Sequence, residues 1–382
     1  MKILYLIPSL CHSGGMERIL TAKANWLVTH GYTVTIITTE KHESNPFFQI
    51  NENINIVNFN VDFNSHVNKP LLYKIFYHIR KIKTYRKKLD DFLSKQPHDI
   101  IISLCGKEIE FISSYKKISR VYAELHFTKN YKELSLTSKK SIIHNLLNKY
   151  LSFRLMRHTR RLDALIVLTP TEKELWSKCN RNVIQIYNAL PLKSKKHVIA
   201  TTDARAIAVG QLLPVKGFDM LIKAWEIVHN AIPSLKLDIY GDGYLKNELL
   251  LQIRAANLED TVTLKGTSTH IQEELERSSL YVMSSRNEGF PMILIEAAAA
   301  GLPIISYDCP TGPREIIEHN VSGLLVPPND IDQLANCIIT LANDINLQQR
   351  LSENIAKRYA DFDFEKIMRQ WDAIFMDNRT NH

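Results

Sequence analysis

The stretch RNEGFPMILIEAAAAGLPII, from Arg286 to Ile305, decides the architecture. It opens as a polar loop and turns at Pro291 into an apolar run that reads as a helix to Ala300. The segment Pro303 to Tyr307 then reads as a strand, and Leu280 to Met283 is a short apolar strand on the other side. Strand, loop, helix and strand in this order form a crossover unit, which requires a parallel sheet with helices packed on it. The stretch also holds two carboxylates. Glu288 falls in the loop and Glu296 about one and a half turns into the helix. A charge among Ile293, Leu294, Ile295 and four alanines is costly unless it has a partner. A carboxylate there can accept two ribose hydroxyls, and the first-turn N–H groups can hold phosphate oxygens. The plainer reading is an exposed glutamate on an amphipathic helix.

Working outward, the same alternation fills both halves. Behind the quoted stretch lie strands at Ala206–Val209, Leu235–Tyr240 and Val262–Leu264. Helices at Phe218–Asn230, Leu245–Ala256 and Ile271–Arg277 accompany them. The first half offers strands at Ile3–Ile7, Thr33–Thr38, Ile54–Phe59, Ile100–Leu104, Val121–Leu125 and Ala164–Leu168. Its first helix spans Glu17–His30 and is stopped by Gly31. Residues 189–204 (ALPLKSKKHVIATTDA) break the pattern and read as a linker. The expected organisation is α/β, with two Rossmann-like domains facing each other across a cleft: residues 1–190 and residues 203–363. The amphipathic segment Glu365–Met376, with Ile367, Trp371 and Phe375 on one face, is expected as a terminal helix packed on a core. In open α/β sheets ligands bind beyond the carboxyl ends of the strands, so the loops there are the places to look for chemistry.

Length and composition narrow the class. At 382 residues with 45% hydrophobic and 23% charged side chains, the chain has room for two globular domains. No run of 18 apolar residues suggests a membrane-spanning helix. The opening MKILYLIPSL reads as a first strand rather than a signal peptide. Five scattered cysteines with no C-x-x-C pair fit neither a disulfide framework nor a zinc site, and the expected compartment is the reducing cytosol. Charge is divided unevenly. Residues 1–190 hold 29 Lys+Arg and 15 Asp+Glu, a net of +14, while the remainder holds 19 and 25, a net of −6, together the overall +8. A basic half points to an anionic partner, nucleic acid or a membrane surface. Within residues 69–95, nine Lys+Arg stand against two Asp. Leu72, Ile75, Phe76, Ile79 and Ile82 share one helical face, and Lys74, Lys81 and Lys88 repeat on the opposite one. Such a helix can lie on an anionic bilayer or pack on the core with its basic face in solvent. A second basic cluster runs from Lys139 to Arg161. No nucleic-acid motif is present, so the membrane is the expected partner and nucleic acid is not.

Three further places can carry chemistry. Ser13-Gly14-Gly15-Met16-Glu17-Arg18 joins the first strand to the first helix. Adjacent glycines let backbone approach a ligand, and the helix start offers N–H groups to an anion; alternatively it is a tight turn with Glu17 capping the helix. The loop is neither G-x-G-x-x-G nor a P-loop. In VGQLLPVKGFD, Val209 to Asp219, Lys216 stands at a helix start, where an ammonium could neutralise a diphosphate leaving group, or it is a solvated surface lysine. In Glu124-Leu125-His126-Phe127 the imidazole lies at a strand end, pointing into the cleft or serving structure.

Taken together, these motifs resemble the family 4 retaining glycosyltransferases of the GT-B fold. The resemblance runs through GGMER, VGQLLPVKGFD, IYGDG (239–243), LKGTST (264–269), the quoted stretch, DCPTGPREII (308–317) and SGLLVPPND (322–330). It implies that Glu296 holds the nucleotide ribose and that Glu288 contacts the transferred sugar near its reacting face. Phe290, Met292 and Ile293 then lie where backbone amides meet sugar and diphosphate, while Pro291 has no N–H to give. Lys216 matches a diphosphate-binding lysine, Gly15 (with Gly14) a glycine loop against the phosphates, and His126 a histidine near the donor sugar. Ser268 lies where the base pocket is lined. Gln211 stands where many relatives have Arg, which leaves the diphosphate short of one charge, with Arg286 or Arg314 as candidates to supply it. The resemblance also implies a last helix, 364–382, that returns to the first domain. It implies transfer of a hexose or N-acetylhexosamine from a UDP-sugar to a glycan or lipid-linked glycan acceptor in surface polysaccharide or lipopolysaccharide assembly. It favours front-side attack, without metal or other cofactor, and the cysteine usage and basic half make the expected place the cytoplasm, peripheral at the membrane. Asp361-Phe362-Asp363 looks like a metal motif, but it precedes the terminal helix and reads as a cap. A sugar phosphorylase of the same fold and a non-catalytic membrane- or nucleic-acid-binding protein are the rival readings.

Overall fold

The computed structural model describes residues 1–40, 45–63, 71–126, 142–194 and 204–377. Contacts divide the chain into two compact units, Met1–Asn188 with Ile367–His382, and Ala189–Lys366. Most of the linker segment, Phe127 and part of each basic cluster lie outside the described residues.

The first unit is built on β1 (Lys2–Leu6), β2 (Thr33–Thr38), β3 (Asn55–Asn58), β4 (Ile100–Ser103), β5 (Arg120–Leu125), β6 (Ala164–Val167) and β7 (Val183–Gln185). Their order is β3-β2-β1-β4-β5-β6-β7, parallel throughout. Helices α1 (Gly15–Thr29), α2 (Leu71–Lys95), α3 (Ile142–Thr159) and α4 (Pro170–Ser177) accompany them. The central strands are buried on both faces, which is why Ile100, Ile101 and Ile102 run without alternation. Short β7, at the sheet edge, is the strand of this unit that the sequence reading missed.

In the second unit the strands are β8 (Arg205–Val209), β9 (Lys236–Tyr240), β10 (Val262–Gly266), β11 (Leu280–Met283), β12 (Ile304–Tyr307) and β13 (Leu324–Val326). They are ordered β10-β9-β8-β11-β12-β13, again all parallel. Its helices are α5 (Phe218–Ala231), α6 (Lys246–Ala255), α7 (Ile271–Arg277), α8 (Met292–Ala299), α9 (Pro313–Ile316), α10 (Ile331–Asn343) and α11 (Ile345–Tyr359). In each sheet the order in which strands are added reverses once, between β1 and β4 and between β8 and β11. The loops after those neighbouring strands therefore meet at the point where open α/β sheets bind ligands.

The last helix, α12 (Phe364–Met376), buries Ile367, Trp371 and Phe375, the face expected of it. From Ile367 it belongs to the first unit. Tyr32 Oη donates to Asp372 at 2.5 Å and Arg120 donates to Phe375 O at 2.6 Å. At its start the Asp363 carboxylate accepts the Lys366 N–H at 2.9 Å, an N-terminal cap. Asp361 pairs with Arg358 and Lys366.

The basic helix α2 departs from its expected two-faced pattern. Ile82, Tyr85, Leu89, Phe92 and Leu93 pack on the core, whereas Phe76 (68% exposed) and Ile79 face solvent. Lys81 and Lys88 are not a free basic face: they donate to the Val61 and Phe59 carbonyls. Both lysines thus reach the loop after β3, whose carbonyls accept their ammonium protons.

Candidate active site

The chemistry gathers at the switch point of the second unit. After β8 the chain passes through Gly210 and a single turn, Pro214–Lys216, into α5. Gly217 joins them at φ +65°, and a side chain there would stand 2.1 Å from the Ser284 carbonyl, so only glycine fits. That close approach lays the loop after β8 against the loop after β11. The aliphatic chain of Lys216 lies over Gly210, where an added Cβ would sit 3.3 Å from its Cδ. The ammonium reaches Glu288 Oε1 at 2.7 Å. Ser285 Oγ donates to the same oxygen at 2.7 Å. The Glu288 main-chain carbonyl accepts from Thr311 Oγ1 at 2.9 Å. Glu288 is thus held by its side chain and its backbone at once.

Helix α8 begins four residues later. No side chain caps it, Pro291 lacks an N–H, and the Leu294 N–H is taken by Pro291 O. Its positive end stands beside the Lys216–Glu288 pair, a setting that favours an anion. Glu296 is only 4% exposed, which removes the reading of a solvated surface glutamate. Tyr281 of β11 marks the convergence of the two glutamates: burial first, then the charges of Glu288 and Glu296, push its phenol well above the usual range. Phe290 is buried with its ring against Phe362, while Met292 and Ile293 are half-buried. Ser268 is half-buried in the loop before α7, its hydroxyl accepting the His270 N–H at 3.0 Å.

Gln211 is exposed. Neither arginine considered as its substitute has a free charge. Arg286 forms a double hydrogen bond to Asp219 at 2.8 and 2.6 Å and donates to Pro214 O at 2.6 Å. Arg314 is paired with Asp308. Arg286 instead staples the Lys216 loop to the Glu288 loop, a role visible only once β8 and β11 are neighbours. Ser285 and Thr311 were also missed by sequence reasoning. Thr311 is one of few non-glycine residues at positive φ, +59°, and the Thr-Gly pair after Pro310 was the available signal.

In the first unit, Gly14 is the residue before α1 and Gly15 its first, exposed residue. Glu17 stands in the first turn of α1. It is buried against Gly14, and burial raises its carboxyl above the ordinary value. His126, one residue beyond β5, has Glu124 at 3.1 Å from Nε2 and Asn188 Nδ2 at 3.3 Å from Nδ1.

Paired Rossmann-like units of this topology are those of the GT-B glycosyltransferases. Residues 191–358, in the second unit, match the family described as "Glycosyl transferases group 1". An uncharacterized glycosyltransferase of Haemophilus influenzae is 28% identical over 98% of this chain and 99% of its own. The amylovoran biosynthesis glycosyltransferase AmsD of Erwinia amylovora is 28% identical over the same shares. The fold superposes on a substituted form of S. aureus TarM, solved with fondaparinux, α-GlcNAc-glycerol and UDP. The TM-score is 0.75 and the identity 17%, covering 98% of this chain and 100% of that one. At that identity the likeness is one of fold.

Proposed function

We propose that the protein is a retaining, metal-independent glycosyltransferase. It moves a hexose or N-acetylhexosamine from a UDP-sugar to a glycan or lipid-linked glycan acceptor, in surface polysaccharide assembly. The observation that carries this reading is the Lys216–Glu288 contact of 2.7 Å at the start of α8, with Glu296 buried in the same helix. The Glu288 carboxylate satisfies Lys216. With a donor, a diphosphate oxygen takes that ammonium and Glu288 turns to the sugar. Lys216 and the α8 N-terminus supply positive charge where the leaving UDP develops negative charge, the task a metal performs elsewhere. Front-side attack, with the leaving phosphate accepting the acceptor's proton, then asks the protein mainly for positioning. The names of AmsD and the ligands of TarM are in keeping with a nucleotide-sugar donor and a polymer acceptor.

Thermal stabilisation by UDP, GDP, ADP, inorganic phosphate and UDP-sugars tests the donor. A ligand at 100 times its Kd adds about 2.7 kcal/mol. UDP is expected to stabilise the protein and GDP and ADP not; no shift with any nucleotide would sink the reading, and release of sugar by phosphate alone would replace it with a phosphorylase. Glu296→Ala should weaken UDP roughly 10- to 100-fold, the loss of charged hydrogen bonds to ribose, and equal UDP affinity would remove the ribose assignment. Turnover is expected to persist in a chelator, and the product's anomeric configuration, read by proton NMR, should be that of the donor.

We further propose that the first unit meets an anionic membrane from the cytoplasmic side. In support, Tyr73, Phe76 and Ile79 on α2 and Tyr150 and Phe153 on α3 are exposed, within a half of net charge +14. Glu110 links the two helices, accepting from His78 at 3.1 Å and from Arg154 at 3.0 Å. Among the described residues no helix is long and apolar enough to cross a membrane. Sedimentation with anionic but not zwitterionic vesicles is expected, and its loss in Phe76→Ser/Ile79→Ser would locate the contact.

A further inference from the structure

Helix α1 and strand β5 bury a cation and an anion against each other. Lys23 Nζ stands 2.5 Å from both oxygens of Glu124, and the side chains are 4% and 1% exposed. Withdrawing two charges from water costs several kcal/mol for each, and an apolar pair of the same volume is often at least as stable. The arrangement therefore asks for a use beyond holding α1 to the sheet. Its surroundings supply one. The ammonium lies 4.2 Å from the Trp371 ring centroid and 5.8 Å from that of Tyr5, so α12 closes one side of it and β1 another. The carboxylate faces the remaining direction, towards His126.

His126 Nε2 is 3.1 Å from Glu124 Oε1, near enough for charge attraction although not aligned for a linear hydrogen bond. On the other side of the ring, Asn188 Nδ2 is 3.3 Å from Nδ1. A carboxylate accepts and an amide N–H donates. With the Asn188 amide turned as it stands, one neutral arrangement suits both neighbours: the proton on Nε2 facing the carboxylate, the lone pair on Nδ1 facing the amide. Burial alone would raise the Glu124 carboxyl. The Lys23 ammonium beside it is the largest of the effects that oppose burial, and the carboxyl lies at about 2, so the acceptor stays ionised. Glu17 on α1 is the other carboxylate whose charge bears on His126.

We propose that Glu124 is a positioning residue which, anchored by Lys23 beneath Trp371, holds the His126 imidazole in its Nε2–H tautomer and in one orientation at the end of β5. The consequence for turnover rests on the glycosyl-transfer reading, in which the resemblance places His126 near the donor sugar; the tautomer does not.

Nitrogen NMR of isotopically labelled histidine in the full chain reads the tautomer, with the His126 signal assigned by its loss in His126→Gln. In the wild type the protonated nitrogen is expected to be Nε2. In Lys23→Met/Glu124→Leu, which removes both charges at similar volume, and in Glu124→Gln, a mixture of tautomers is expected. The kcat of these variants should fall roughly 10- to 100-fold, as when the support of a functional histidine is removed, with the donor KM within about twofold of wild type. A wild-type proton on Nδ1 overturns the proposal without any variant, and so does an unchanged tautomer in the folded variants. A changed tautomer with unchanged kcat leaves Glu124 as the positioning residue and removes His126 from the reaction.

Discussion

Glu288→Ala is expected to lower kcat by about 10²- to 10³-fold, the usual loss when one fixed group that stabilises the transition state is removed, while UDP binds as tightly as before or more tightly. The asymmetry follows from the pairing. The Lys216 ammonium is 2.7 Å from Glu288 Oε1, so a diphosphate must compete with that carboxylate for the cation. Deleting the carboxylate ends the competition and leaves Lys216 and the α8 N-terminus free for phosphate. The transferred sugar loses the group expected to steady its reacting face, a loss felt in the transition state and hence in kcat. Glu288→Gln separates charge from shape, since its amide can still meet Ser285. Lys216→Ala should show the opposite pattern, with weaker UDP binding as well as slower turnover. Isothermal calorimetry with UDP and initial-rate kinetics on the same preparations decide the matter. A parallel fall of UDP affinity and kcat in Glu288→Ala would mean that this glutamate binds the nucleotide.

Much of this site was legible because the residues concerned sit in short loops that follow recognisable strands. The quoted stretch carries a loop, a helix start and two glutamates within a few residues of each other, and α8 and β12 formed within a residue or two of the expected bounds. Lys216 was marked by the glycine beside it. Its partner was not, because the meeting of the two loops depends on β8 and β11 being neighbours, which strand order sets and local sequence does not. The same limit explains Arg286. Read locally, it was a spare cation for the diphosphate; in three dimensions Asp219 takes its charge. The basic helix shows a different limit. Phe76 and Ile79 of the expected apolar face meet solvent, the core contact falls further along at Tyr85, Leu89 and Leu93, and Lys81 and Lys88 reach carbonyls of a neighbouring loop.

The least legible feature was the buried pair, whose members are 101 residues apart. One signal was available: Ile19, Lys23 and Leu27 recur at helical spacing on the buried face of α1, so a lysine occupied a core position. That placement sets the largest stability effect expected here. Lys23→Ala leaves Glu124 charged and buried without its main counter-charge and should cost about 3–5 kcal/mol, lowering the Tm of the first unit by roughly 10 °C. Lys23→Met/Glu124→Leu should return most of that loss at neutral pH, because it removes the desolvation of both ions together. Acid reverses the comparison. The folded Glu124 carboxyl, at about 2, lies below its ordinary 4.5. Its contribution is therefore fully present above about 4.5 and is lost as pH falls towards 2. The wild type should lose stability over that window relative to the double variant, which has no carboxyl at this position to protonate. Thermal unfolding of the three proteins at several pH values measures both effects. A single variant as stable as the wild type would mean that water reaches the site, while a double variant as weak as the single would mean that shape, not charge, holds α1 to β5.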